Sequence, residues 1–225
     1  MLNSLVNFLF PTICGACTHI LHPRESFLCT HCLHNIAQYP VELQQPAFES
    51  LLYGRVNFEQ ARCLFYFQKH GASQEAIHNL KYRNQSQLSE FFGNWMGELL
   101  KDSKHFQSVD AVIPVPLHPK RLRKRGYNQV EGFGQTIAKH LNADYIDDVL
   151  LRRSNSKTQV FKNRLARTEM IENSFYISST TALKDKHILL VDDLVTTGST
   201  IESCYLALKP ISNFKLSLAT IALNR

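Results

Sequence analysis

The chain has 225 residues, of which 44% are hydrophobic and 20% charged, with a formal net charge of +6. That length and balance support one full core, or one core with a small satellite unit, and exclude a disordered or fibrous chain. No run approaches the ~20 apolar residues of a membrane span, and the positive balance gives a nudge towards an anionic partner: phosphate, pyrophosphate or nucleic acid.

Residues 1–10 place Leu2, Leu5, Val6, Leu9 and Phe10 at helical spacing. No Lys or Arg precedes this stretch and Pro11 interrupts it, so it reads as an N-terminal helix rather than a secretory leader. The expected compartment is the cytoplasm. Residues 11–40 are rich in Cys and His, with Pro11, Gly15, Pro23 and Pro40 as breakers. They lack continuous apolar periodicity, so another element must hold them together.

Cys14-x-x-Cys17 and Cys29-x-x-Cys32 supply that element. In a reducing compartment, clustered cysteine pairs argue for metal rather than disulfides. Each knuckle places two thiolates on one side of an ion, and two knuckles complete the tetrahedron of a closed, structural zinc site. The eleven intervening residues are few, but loop closure tolerates that. A redox role is disfavoured on the expectation that neither pair opens a helix after a strand. His19, His22, His31 and His34 read as loop residues or outer neighbours of the four sulfurs. The helix and zinc module are expected to occupy residues 1–45, residues 41–60 to form a linker or irregular approach, and the main domain to occupy 60–225.

From about residue 61 the pattern is α/β. Residues 63–67 form a strand, and residues 73–82 and 87–100 read as helices. Residues 109–115 make a short strand bounded by Pro114 and Pro116, residues 129–141 a helix, and a strand pair is expected around 144–152. His187 to Val191 is a continuous apolar strand of the kind buried on both faces. A helix follows from about Ser199, and residues 214–222 make a final strand. This alternation predicts a mostly parallel sheet with helices on both faces. Cys63 and Cys204 fall in apolar contexts and read as buried thiols.

The sharpest motif is HILLVDDLVTTGST, residues 187–200. An apolar strand delivers two adjacent carboxylates, Asp192 and Asp193, and a loop of Thr196, Thr197, Gly198, Ser199 and Thr200 then runs into a helix. Unpaired N–H groups and partial positive charge at a helix N-terminus suit a phosphate dianion. Gly198 permits close backbone approach, and the hydroxyls add donors. Two carboxylates at a strand end can hold two vicinal hydroxyls where α/β sheets bind ligands. Together these fit a phosphorylated sugar. The plainer alternative, an ordinary turn with a helix cap, suffices for TGST alone but not for the whole arrangement.

The second motif, IPVPLHPKRLRKRGYNQ, packs Lys120, Arg121, Arg123, Lys124 and Arg125 into six positions directly after a buried strand. A solvated basic helix face is the plain alternative. Basic residues beside aromatics such as Tyr127 are also suited to tracking single-stranded DNA or RNA.

The phosphate loop resembles the PRPP-binding signature of type I phosphoribosyltransferases. The four-cysteine module, LKYRNQ at 80–85, PVPLHPKRLRKRGYNQ at 114–129 and LLVDDLVTTGST at 189–200, in this order, closely resemble the ComF family of bacterial competence-associated proteins. The resemblance implies the type I phosphoribosyltransferase fold, with Asp192 and Asp193 on the ribose 2- and 3-hydroxyls and Thr196 to Thr200 on the 5-phosphate. Leu117, His118 and Pro119 would form the pyrophosphate turn, and Arg121, Arg125, Tyr127 and Asn128 a mobile basic segment closing over the site. Asp192, Asp193 and Arg125 would serve displacement of pyrophosphate at the anomeric carbon, with Mg²⁺ bridging ribose and pyrophosphate oxygens. Lys81 and Tyr82 match a position expected near the active-site side of the sheet. Arg152, Lys157, Gln159, Arg164 and Arg167 fall where the family carries a Gln followed by arginines, although Met170 departs from the Asn expected there. Family membership implies handling of incoming single-stranded DNA during natural transformation, with Lys120, Arg121, Arg123, Lys124, Arg125 and Tyr127 as the nucleic-acid contacts. Two other readings stay open. One is an active phosphoribosyltransferase in nucleobase salvage or nucleotide recycling. The other is a PRPP-regulated adaptor docking on a DNA-uptake helicase or other competence proteins.

Overall fold

The computed structural model describes residues 11–82, 86–153 and 174–224. The expected helix at 1–10, residues 83–85 of LKYRNQ, and Lys157, Gln159, Arg164, Arg167 and Met170 lie outside the described residues. Seven strands are described: β1 (Ala61–Phe67), β2 (Ala111–Pro114), β3 (Asp144–Tyr145), β4 (Leu150–Arg152), β5 (Phe175–Ile177), β6 (His187–Val195) and β7 (Lys215–Asn224). Five of them form an all-parallel sheet in the order β1-β7-β6-β2-β3, while β4 and β5 make a separate antiparallel ribbon. The expected strand pair around 144–152 is therefore corrected. Asp144–Tyr145 joins the main sheet beside β2, and Leu150–Arg152 pairs with residues 175–177, too distant in sequence for local pattern to reveal.

The sheet is apolar on both faces, as a parallel sheet must be when helices cover it twice. Along β6 the side chains alternate. Leu189 and Val191 pack with α3 (Ala72–Tyr82), α4 (Ser86–Lys101) and α6 (Glu131–Leu141), while Ile188 and Leu190 pack with α2 (Val41–Leu52) and α7 (Ser199–Leu208). Buried Cys14, Ala16, Leu21, Leu28, Cys32 and Ile36 join the first of these clusters, so the cysteine module shares its core with the sheet.

Residues 41–52 correct the expected linker: they form a regular helix. It buries Gln44, Phe48 and Leu52, spaced four apart on one stripe. Phe48 and Leu52 are fully buried, each removing about 1.5–3 kcal/mol of apolar exposure. The polar member of the stripe is satisfied at both ends. Gln44 Nε2 donates to the Tyr39 carbonyl at 2.7 Å, and Oε1 accepts from the Cys63 N–H at 3.1 Å. A buried glutamine and an internal Pro46 hide an amphipathic helix from a hydrophobicity pattern.

The basic run is likewise a helix, α5 (Pro119–Arg125), rather than a loop. Pro119 sits at its start, where a missing N–H costs nothing. His118 caps it, with Nδ1 accepting from the Lys120 N–H at 3.1 Å. Gly126 ends it at φ 84°, donating its N–H to the Leu122 carbonyl at 2.7 Å.

Candidate phosphoribosyl-phosphate cleft and metal module

The strand order fixes where a ligand can sit. From β6 the chain passes through α7 to β7 on one side, and from β2 through α6 to β3 on the other, so the winding reverses between β6 and β2. In open α/β sheets the crevice at that switch point, beyond the carboxyl ends of the strands, is the ligand site. A cleft of ≈570 Å³ opens there, between Val115–Leu117 after β2 and Asp192–Leu194 at the end of β6.

Asp192 and Asp193 are buried in its floor at 7% and 4% exposure. The Asp193 N–H donates to Asp192 Oδ1 at 2.9 Å, and Lys81 Nζ lies 2.8 Å from Asp193 Oδ2. Burial, and then the neighbouring Asp193 carboxylate, push the Asp192 carboxyl well above its ordinary range. Such an under-compensated acid pair fits a divalent cation or sugar hydroxyls arriving with the ligand. Magnesium, which keeps several waters and prefers phosphate oxygens, needs no further protein cage.

Five cations face these two carboxylates: Lys81, Arg121, Lys124, Arg125 and Arg152. Helical spacing sorts the basic run. Positions 121, 124 and 125 line the cleft with Tyr127, while Lys120 and Arg123 are exposed and absent from the lining. Arg125 Nη1 donates to Gln129 Oε1, and Gln129 Nε2 reaches Asp193 Oδ2 at 3.4 Å. Tyr127 donates its hydroxyl to the Leu80 carbonyl at 2.7 Å, tying the segment after α5 to α3. Asn128 Nδ2 donates to the Val115 carbonyl at 3.1 Å. Leu117 lines the cleft, whereas His118 is occupied as the α5 cap. Its ring is depressed by burial and then by the charges of Arg152, Lys120 and Arg121.

Thr196, Thr197, Gly198 and Ser199 line a smaller hollow beside the cleft together with Asp192, and Thr200 borders both. Gly198 is the N-cap of the ten-residue α7 and offers no side chain, leaving the first-turn N–H groups without a side-chain cap. Gln129 and Arg152 were not assigned to this site by motif reasoning alone. Arg152 arrives from the β4–β5 ribbon, its guanidinium 5.1 Å from the centroid of Phe175; burial and then Arg121 weaken its hold on the proton.

The four module cysteines bring their sulfurs within 4.8 Å of one another. Cys17 Sγ and Cys29 Sγ are 3.7 Å apart, close to the ~3.8 Å edge of a tetrahedron with ~2.3 Å zinc–sulfur bonds. Backbone N–H groups of Ala16 and Cys29 point at Cys14 Sγ, at 3.4 and 3.3 Å, as a thiolate requires. Burial opposes ionisation of Cys14, yet these N–H groups bring its thiol down to about 7. The donor set could hold zinc. The loop between the knuckles is pinned by Glu25, which accepts from the His22 and Thr30 N–H groups at 2.8 and 2.6 Å. Cys29 caps a helix, α1 (Thr30–Asn35), through its own sulfur, with turns and bends rather than a strand before it. All four histidines of the module are exposed and outside the sulfur cluster.

This arrangement of parallel sheet, acid pair and hydroxyl-glycine loop defines a phosphoribosyltransferase-type domain. The family model for the phosphoribosyl transferase domain matches residues 131–224. The chain is 25% identical to Competence protein F of Haemophilus influenzae over 219 residues, covering 88% of this chain and 90% of that protein. It is 33% identical over 130 residues to Competence protein ComFC of Streptococcus pneumoniae, covering 58% of this chain and 54% of that one. It is 29% identical over 131 residues to DNA utilization protein YhgH of Escherichia coli O157:H7, covering 56% of each. The chain thus spans little more than half of the latter two proteins but nearly all of the first. With its motifs, these similarities are consistent with the ComF family.

Proposed function

We propose that this competence-related, phosphoribosyltransferase-like protein binds PRPP with Mg²⁺ in the β6–β2 cleft and handles single-stranded DNA in the cytoplasm during transformation. The observation that carries this reading is the joining of two buried carboxylates, five cations and an uncapped helix N-terminus around one cleft. Each part answers one part of the ligand. The hollow at Thr196–Thr200 takes the 5-phosphate, and Asp192 and Asp193 take the ribose hydroxyls. Arg121, Lys124, Arg125 and Arg152 take the pyrophosphate, whose charge Mg²⁺ would share. The DNA reading draws on the outer face of α5, where Lys120 and Arg123 are exposed and free of the cleft lining. It also draws on the relatives named for competence and DNA utilization. No helix among the described residues is long and apolar enough to cross a membrane.

The test is calorimetric titration of PRPP, with and without Mg²⁺, into wild type and the Asp192→Asn/Asp193→Asn variant, beside salt-dependent anisotropy with an oligothymidine. Binding that needs Mg²⁺ and is lost in the variant is the expected result. Lys120→Ala/Arg123→Ala should lower the slope of log affinity against log salt by about 1.4, from ~0.7 per released cation contact on a single strand. A folded wild type indifferent to PRPP sinks the first half; an unchanged salt slope sinks the placement of DNA on α5.

A further inference from the structure

The phosphate loop is braced from outside its own motif. Arg55, just beyond α2, donates from Nη1 to Glu202 Oε2 at 2.9 Å and from Nη2 to the Thr197 carbonyl at 2.9 Å, and it also bonds the Leu51 carbonyl. Arg55 lines neither the cleft nor the adjoining hollow, so it acts through the loop rather than by touching a ligand there.

The bonded carbonyl belongs to the peptide that joins Thr197 to Gly198. A trans peptide plane points its C=O and its N–H in opposite directions, and the described residues contain no cis peptide. Drawing the Thr197 oxygen out towards Arg55 therefore turns the Gly198 N–H the other way, away from Arg55 and towards the hollow. A flip of the same plane would present a carbonyl oxygen to any anion there. Gly198 keeps φ +74°, and Leu52 Cδ2 would stand only 2.5 Å from a Cβ at that position. Glu202 fixes the guanidinium from the first turn of α7. This pair is about one-third and one-quarter exposed, so its Coulomb attraction contributes little by itself; what it supplies is direction.

We propose that Arg55 is a positioning residue for phosphate recognition. By holding the Thr197–Gly198 peptide it sets the polarity of the cradle, so that an N–H and not a carbonyl meets a phosphomonoester. This rests on reading residues 196–200 as the 5-phosphate site. The effect is confined to one end of the ligand, because the pyrophosphate cations come from α5 and β4 and not from this loop.

The experiment compares wild type, Arg55→Met and Arg55→Lys, with ribose 5-phosphate and Mg²⁺-pyrophosphate as probes in separate calorimetric titrations. Arg55→Met should weaken ribose 5-phosphate at least tenfold while leaving pyrophosphate within twofold. Arg55→Lys keeps a donor for the Thr197 carbonyl and should recover part of the loss. In wild type the Gly198 amide resonance should shift on adding ribose 5-phosphate. Glu202→Gln, which loosens the guanidinium without removing it, gives the same test in milder form should Arg55→Met fold poorly. A wild type blind to ribose 5-phosphate overturns the phosphate reading itself. A wild type that binds it, with Arg55→Met or Glu202→Gln binding equally well, overturns only the role of Arg55. So does parallel loss of both probes, which marks general destabilisation.

Discussion

Replacing Gly198 by Ala tests the packing of α2 against the phosphate loop. Two costs add. A non-glycine residue in the left-handed region pays about 1–2 kcal/mol. A methyl placed 2.5 Å from Leu52 Cδ2 must displace a fully buried leucine, an overpacking cost of about 1–3 kcal/mol. The total, about 2–5 kcal/mol, corresponds to a fall in Tm of about 4–20 °C for a chain of this size. Gly126→Ala is the control. Its φ is +84°, but nothing lies within 4 Å of the added carbon, so only the about 1–2 kcal/mol of backbone strain applies. Urea and thermal unfolding of both variants, and of Gly198→Ala in a Leu52→Ala background, separate the terms. Leu52→Ala alone should cost about 2–5 kcal/mol, and the double variant should cost less than the sum by about 1–3 kcal/mol, because the methyl occupies space the leucine has left. Equal penalties at the two glycines, or strict additivity with Leu52→Ala, would refute the argument that α2 closes on the loop.

Two other outcomes follow from the site and the module. Asp192 has its carboxyl raised by burial and by Asp193, so the folded state holds its proton more tightly than the unfolded chain does. Stability from this group is thus present at low pH and lost as pH rises from the ordinary carboxylate range through the raised value. Asp192→Asn should then raise Tm at pH 8, with a gain that shrinks on acidification; a variant less stable than wild type at pH 8 contradicts that sign. Stripping zinc should expose four thiols to alkylation, at Cys14, Cys17, Cys29 and Cys32, and lower Tm. Cys63, its thiol pushed up to about 12 by burial, and Cys204, pushed well up by the same cause, should stay unmodified until the protein is unfolded. Mass spectrometry counts the adducts, and full stability after verified metal loss would rule out a structural role for the ion.

What could be read from the chain was what lies contiguous in it. The apolar run, acid pair and hydroxyl loop of residues 187–200 form one strand, turn and helix start, so composition and spacing expose them together. The cysteine knuckles are legible for the same reason, since two short pairs carry all four sulfurs of the cluster. Arg152 and Gln129 could not be assigned this way, because they meet Asp192 and Asp193 only when the ribbon and α6 dock. Helix α2 escaped because Gln44 occupies a core position through backbone hydrogen bonds that no hydrophobicity pattern registers. The basic run reads as a closing segment through the resemblance, with a basic helix face as the alternative; the helix is the outcome, punctuated by His118-Pro119 at the start and Gly126 at the end.

The sheet order also governs how this protein comes into being. Within the main sheet β1 pairs with β7, Ala61 facing Leu218 and Phe67 facing Asn224, while its other edge carries a single bridge from Phe65 to Gln38. The pairing of β1 with β7 therefore needs a closure of roughly 150 residues, whose entropy must be met before the pairing rewards it. Until residues 215–224 leave the ribosome, β1 has an apolar edge without its partner, and β6 lacks the strand on its other flank. A chain halted before that point should leave these sheet edges open to aggregation.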